Sequence, residues 1–252
     1  MNKFAKKAAV LGLAGVMCFS TLTGCGNKID PEAVVATVGD EDVLLGTANF
    51  FARLQQASYE TYYAGMMGTT GEEMWNQAGE SGITFDVSVK DGIMENLTTM
   101  YVLRQHAKDY NVSITDEEKT AIEKAAKDFL SSNNEDILGE VSADEETIVE
   151  LLELMTIQYK MNEPLMKEAE ELAEAAKETT TEDAKVETAE EAKDGEEAVS
   201  PEVEAQAAID YQYNEIISKW KKDLKIDVDK ELWNKIDFKK KGYTMKQQEE
   251  NK

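Results

Sequence analysis

Val34-Val35-Ala36-Thr37-Val38-Gly39-Asp40-Glu41-Asp42-Val43-Leu44-Leu45 reads as a strand, a turn and a second strand. Valine and threonine dominate the first run, Gly39-Asp40 supplies the turn signal, and apolar residues resume on the far side. From Gly46 the pattern turns helical. Phe50, Leu54, Ala57 and Thr61 fall at helical spacing with Phe51 and Tyr62 beside them, so a helix is expected to run to about Tyr63–Gly65. A small β element feeding directly into helix sets the class. With modest glycine and prolines only at Pro31, Pro164 and Pro201, the fold class expected is mainly α with a small N-terminal β element.

Further helices follow. Met66 to Gly82, rich in Gly, Met and Thr and containing Trp75, reads as a loop. Asp86 to Tyr110 is amphipathic, with Val89, Ile93, Leu97, Met100, Tyr101 and Leu103 on its apolar face. Thr115-Asp116-Glu117-Glu118 has the spacing of a capping box and starts a helix burying Ile122, Ala125, Ala126, Phe129 and Leu130. Asp144-Glu145-Glu146 heads another, carrying Ile148, Leu151, Leu152, Met155 and Tyr159. Pro164 is expected to kink that helix or to separate it from Leu165–Ala176.

Glu168 to Glu204 differs in kind. It holds 15 acidic residues against Lys177, Lys185 and Lys193 and has no aromatic residue. So little apolar surface cannot offset the entropy of ordering, and residues 176–201 read as an acidic linker, in part helical. Helical pattern resumes at Val203, with Ala207, Tyr211, Asn214, Ile217 and Trp220 on one broad face, then Ile226-Asp227-Val228 as an extended piece. Leu232, Trp233, Ile236 and Phe238 form a last apolar cluster. A segment spanning 202–238 is too short for its own core, so it is expected to dock on the lobe at 33–175, closing one domain around the linker. The tail at 239–252 reads as polar and frayed.

The N-terminus reads as an export signal. Lys3, Lys6 and Lys7 precede an apolar run from Ala8 to Phe19, too short for a spanning helix. The run closes on Leu22-Thr23-Gly24-Cys25, which resembles the lipobox of bacterial lipoproteins. That resemblance implies a signal peptide at 1–24, thioether lipidation of Cys25, cleavage before it, and a short tether at 25–32. Two or three acyl chains anchor a protein stably where one does so marginally. The place implied is the extracytoplasmic face of a cell membrane. Cys18 would leave with the signal, so the two cysteines imply no disulfide.

Charge narrows the partners. The net charge of −24 becomes −27 once Lys3, Lys6 and Lys7 are removed. Such a body repels nucleic acid and anionic headgroups and stays soluble. No phosphate loop, dinucleotide fingerprint or Gly-x-Ser-x-Gly is present. His106 is the single histidine, which argues against an imidazole metal site, and no calcium-loop spacing occurs. No cofactor is expected.

The stretch 34–43 followed by a helix, with Trp220-Lys221-Lys222-Asp223-Leu224-Lys225-Ile226-Asp227-Val228 and then Leu232-Trp233, resembles the opening and close of extracytoplasmic chaperones of the PrsA and SurA type. The resemblance spans most of 33–238 but rests on apolar patterns. It implies a helical chaperone domain made from both chain ends, commonly interrupted by a parvulin prolyl isomerase. That domain's active site typically includes a pair of histidines. With a short acidic insert and one histidine, isomerase activity is expected to be absent. Binding of unfolded or partly folded exported polypeptides remains implied, with an anchored adaptor for one specific partner as the alternative. Oligomeric state stays open.

Methionine and aromatic side chains adapt to varied apolar partners. Tyr62, Tyr63, Met66, Met67, Met74 and Trp75 are therefore the candidate client-binding residues, while Phe50 and Phe51 read as core.

Overall fold

The computed structural model describes residues 16–19, 29–183 and 200–246. Cys25 and linker residues 184–199 lie outside that set.

Strands β2 (Val34–Val38) and β3 (Glu41–Leu44) form the expected antiparallel hairpin, with Val38 opposite Glu41 and Thr37 opposite Asp42. Gly39 makes the turn at φ 60°, a conformation that a Cβ disfavours. β2 is the central strand of three. Its other edge is taken by β4 (Asp227–Val228), and Asp229 N donates to Val35 O at 2.8 Å. The C-terminal segment therefore completes the N-terminal sheet.

Helix α1 (Leu45–Ser58) starts directly from β3 with no side-chain cap. Its first amides are satisfied from upstream instead, Leu45 N by Ala33 O at 2.7 Å and Gly46 N by Pro31 O at 2.9 Å. Residues 29–32, expected as tether, are thus part of the fold. α1 continues as a π-helical turn, Tyr59–Tyr63, into α2 (Ala64–Met67). The expected loop at 66–82 is shorter than its composition suggested. α3 (Gly71–Asn76) lies inside it, started by a capping box between Thr70 and Glu73.

α4 (Phe85–His106) runs through the centre of the body and ends in a 3-10 turn, Ala107–Tyr110. α5 (Asp116–Ser132) begins at the capping box of Thr115 and Glu118, as its sequence requires. α6 (Glu135–Val141) follows, capped by Asn134. α7 (Glu145–Asp183) is long and passes unbroken through Pro164. An interior proline removes one hydrogen bond and costs about 3 kcal/mol. Met161 and Leu165 on either side of it are fully buried, and that burial holds the helix continuous, so Leu165 onward is not the separate helix that was one of the two expectations.

α8 (Pro201–Leu224) packs back against α7 and α4. Leu103, Ala107, Ile157, Met161, Leu165 and Ile217 form a buried cluster there, with Trp220 bridging to the main core. His106 stacks on Trp220 at 4.1 Å between centroids and 12° between planes. The main core joins Val35, Val38, Phe50, Leu97, Tyr101, Ile122, Leu151 and Phe238, so hairpin, central helices and C-terminal segment share one interior.

After the short helix α9 (Lys230–Trp233) the chain stays bound further than its polarity suggested. Lys239 pairs with Asp86 at 2.9 Å, Lys241 Nζ donates to Glu140 Oε1 at 2.7 Å, and Tyr243 is buried. Residues 239–246 of the expected frayed tail are therefore docked, ending in strand β5 (Tyr243–Lys246). β5 pairs antiparallel with β1 (Val16–Phe19), which lies within the leader read from the sequence.

Candidate functional site

The surface is most distinctive where α1 and the π turn face the first half of α4. An open groove of about 380 Å³ lies there, lined by Phe51, Gln55, Tyr59, Phe85, Ser88, Val89, Gly92, Ile93 and Asn96. Phe51, Val89 and Ile93 are buried and make an apolar floor, while Gln55 and Asn96 give a polar, uncharged rim. On α4, Phe85, Ser88, Gly92 and Asn96 recur at helical spacing, so the lining is one face of one helix. Ser88 and Gly92 are small and leave the space that bulkier neighbours would fill. A second hollow of about 360 Å³ shares Phe85 and Ser88 and adds Gln77, Ile83 and Asp91. It sits beside a tight turn closed by Gly79 N to Ile83 O at 3.0 Å and Phe85 N to Gln77 O at 2.8 Å.

The segments that flank these hollows carry exposed apolar side chains. Tyr62 and Tyr63 are about half exposed, Met67 likewise, and Met66 is 85 % exposed. Ile83 and Val87 are exposed on the α4 side. Tyr63 joins the groove through Tyr59, with ring centroids 5.0 Å apart, and Tyr59 meets Phe85 edge-on at 5.7 Å. A π turn carries its side chains out of register with the preceding α-helix, and such turns recur at functional sites.

Met74 and Trp75, read from the sequence as binding residues, are fully buried. That reading is corrected: both belong to the floor that supports the surface. Trp75 stacks on Phe85 at 5.6 Å and lies 5.1 Å from Phe238. A buried indole requires a partner for its N–H, and Trp75 Nε1 donates to Glu60 Oε1 at 2.8 Å. Tyr62, Tyr63, Met66 and Met67 remain on the surface together, presented by the π turn and α2. Gly68 then turns the chain at φ 63° toward α3.

Glu60 organises the supporting layer. Its carboxylate also accepts from Gln56 Nε2 at 2.8 Å and from Tyr243 N at 2.7 Å. Burial pushes its pKa up, and these hydrogen bonds with the nearby Arg53 charge offset part of that rise. Gln56 Nε2 reaches Phe238 O at 3.0 Å and Lys241 O at 2.7 Å, and Arg53 Nη1 reaches Asp237 O at 3.1 Å. Three residues one helical turn apart thus hold the C-terminal segment against α1.

His106 Nδ1 lies 3.4 Å from Asp109 Oδ2, and its ring packs on Trp220 away from the groove. Among the described residues no three His, Cys, Asp or Glu side chains gather as a metal would need, and no helix is long and apolar enough to cross a membrane. The sequence reading missed the α4 side of the groove. Val89 and Ile93 read as core, and the small residues Ser88 and Gly92 on the same stripe were the available signal.

Comparison with protein-family models, with curated proteins and with solved structures gave no match.

Proposed function

We propose that this chain is a lipid-anchored extracytoplasmic chaperone that holds unfolded or partly folded exported polypeptides and does not isomerise prolines. The observation that carries the reading is the uncharged groove between α1 and α4, floored by Phe51, Val89 and Ile93, together with the exposed Tyr62, Tyr63, Met66 and Met67 on the adjoining π turn and α2. Rings and thioethers contact many apolar shapes without demanding one, which suits a changing set of clients. The net charge of −24 keeps such complexes dispersed by mutual repulsion. The lipobox-like Leu22-Thr23-Gly24-Cys25 supports anchoring through Cys25. The likeness of both chain ends to PrsA/SurA-type chaperones supports the client class.

The test is suppression of aggregation of a denatured secreted protein by the chain lacking residues 1–25. Replacing Tyr62, Tyr63, Met66 and Met67 together by serine should abolish suppression while the chain stays folded, at a stability cost of about 2 kcal/mol from four half-exposed or exposed helical positions, with folding checked by circular dichroism. Undiminished suppression by that variant would overturn the assignment of the site. Absence of suppression by the parent would overturn the chaperone reading.

A further inference from the structure

Strand β5 has two hydrogen-bonding edges. The inner one is held by the π turn: Tyr243 N donates to Glu60 Oε2 at 2.7 Å and Met245 N to Thr61 Oγ1 at 2.9 Å. Backbone amides alternate in direction along a strand. Those of Thr244 and Lys246 therefore face the outer edge, where Val16–Phe19 lies antiparallel with Cys18 opposite Thr244 and Val16 opposite Lys246. The occupant of that edge belongs to the leader, and the seat does not. Arg53, Gln56, Glu60 and Thr61, which hold the segment, all lie after residue 29. Cleavage before Cys25 would remove the occupant and leave β5 in place. A strand backed on one side only is a template for another extended chain.

The geometry points to the outer edge of β5 as a second binding site, which takes a short, extended, apolar segment of an exported polypeptide by antiparallel strand addition. The structure holds a segment of that chemistry there already: Val16-Met17-Cys18-Phe19 is uncharged and apolar. Strand addition draws its affinity from main-chain hydrogen bonds and so tolerates varied side chains. One turn serves both sites. Glu60 and Thr61 hold β5, Tyr59 lines the groove, and Tyr62 and Tyr63 project beside them. The inference rests on the chaperone reading and on removal of the leader.

The experiment uses residues 26–252 and a fluorescent peptide copying residues 13–22 of the leader. Saturable binding by anisotropy is expected at better than about 1 mM. A twin peptide N-methylated at the positions of Val16 and Cys18, which face β5, should bind at least about tenfold more weakly. The Thr244→Pro variant, which removes one outward donor, should weaken the parent peptide similarly. No saturable binding, or equal binding of the two peptides, overturns the inference. Dimerisation of the leaderless chain that Thr244→Pro abolishes also overturns it, because the edge then serves a second copy. Aggregation suppression is measured in parallel. If suppression persists without peptide binding, only this site fails; if the peptide binds without suppression, only the chaperone reading fails.

Discussion

Replacing Phe238 with alanine tests whether the distant C-terminal segment shares the core of the N-terminal lobe. Phe238 is 1 % exposed, and its ring centroid lies 5.1 Å from that of Trp75. A buried phenylalanine removes about 150 Å² from water, and at about 25 cal/mol/Å² that contributes about 4 kcal/mol. Alanine keeps the Cβ, and the remaining space collapses only in part, so the expected loss is about 3–5 kcal/mol. Domains of this kind are stable by only about 5–15 kcal/mol, so the effect is large. The assay is urea unfolding of the leaderless chain followed by tryptophan fluorescence, with a lower midpoint at unchanged slope. Tyr211 lies on α8 and is 61 % exposed, so Tyr211→Ala should stay within about 0.5 kcal/mol. A loss below about 1 kcal/mol for Phe238→Ala, or equal losses in the two variants, would refute a shared core.

Three smaller effects follow from the same contacts. At Gly39, with φ +60°, a Cβ would sit 2.9 Å from both Gln105 Oε1 and Leu224 Cδ2. Gly39→Ala should therefore cost about 2 kcal/mol by thermal unfolding, and a cost under about 0.5 kcal/mol would contradict the close approach of turn, α4 and α8. Burial tends to raise the Asp86 pKa, but hydrogen bonds from Thr84 and Lys239 with the Lys239 charge bring it below 3.8. Its contribution is present above the ordinary carboxylate range and lost as pH falls through it, so Asp86→Asn should flatten the acid limb of the stability profile by up to about 1 kcal/mol. Glu60 has the opposite sign. Its raised pKa favours the protonated form in the folded state, so its contribution declines as pH rises from 4.5 through the raised value. The stability of Glu60→Gln relative to the parent should climb with pH across that interval, and a flat difference would contradict the buried carboxylate.

Local patterns were legible where chemistry acts over a few residues. The capping box at Thr115 and Glu118 needs only a hydroxyl and a carboxylate at the right spacing, and it forms. The apolar stripe of α4 follows from helical geometry, and Val89, Ile93, Leu97 and Tyr101 are buried as that stripe demands. Pro164 does not end the helix because its local cost is outweighed by burial of Met161 and Leu165, which depends on α8 arriving from far along the chain. Lys239 and Lys241 looked like parts of a solvated tail because their acidic partners, Asp86 and Glu140, lie more than a hundred residues away. The candidate site divided for the same reason. Tyr62, Tyr63, Met66 and Met67 share a segment with Met74 and Trp75, and composition alone could not separate the exposed from the buried.

Sequence by itself determined the helical class, the hairpin, the starts of α5 and α7 and the acidic character, because periodicity, capping and charge are properties of neighbouring residues. Only the tertiary structure decided that β4 would complete the sheet, that Trp75 would be buried with its indole N–H on Glu60, and that Ser88 and Gly92 would leave a groove facing Tyr59. Those outcomes depend on surfaces brought together across long separations, and a buried polar group or an open groove exists only once both sides are in place.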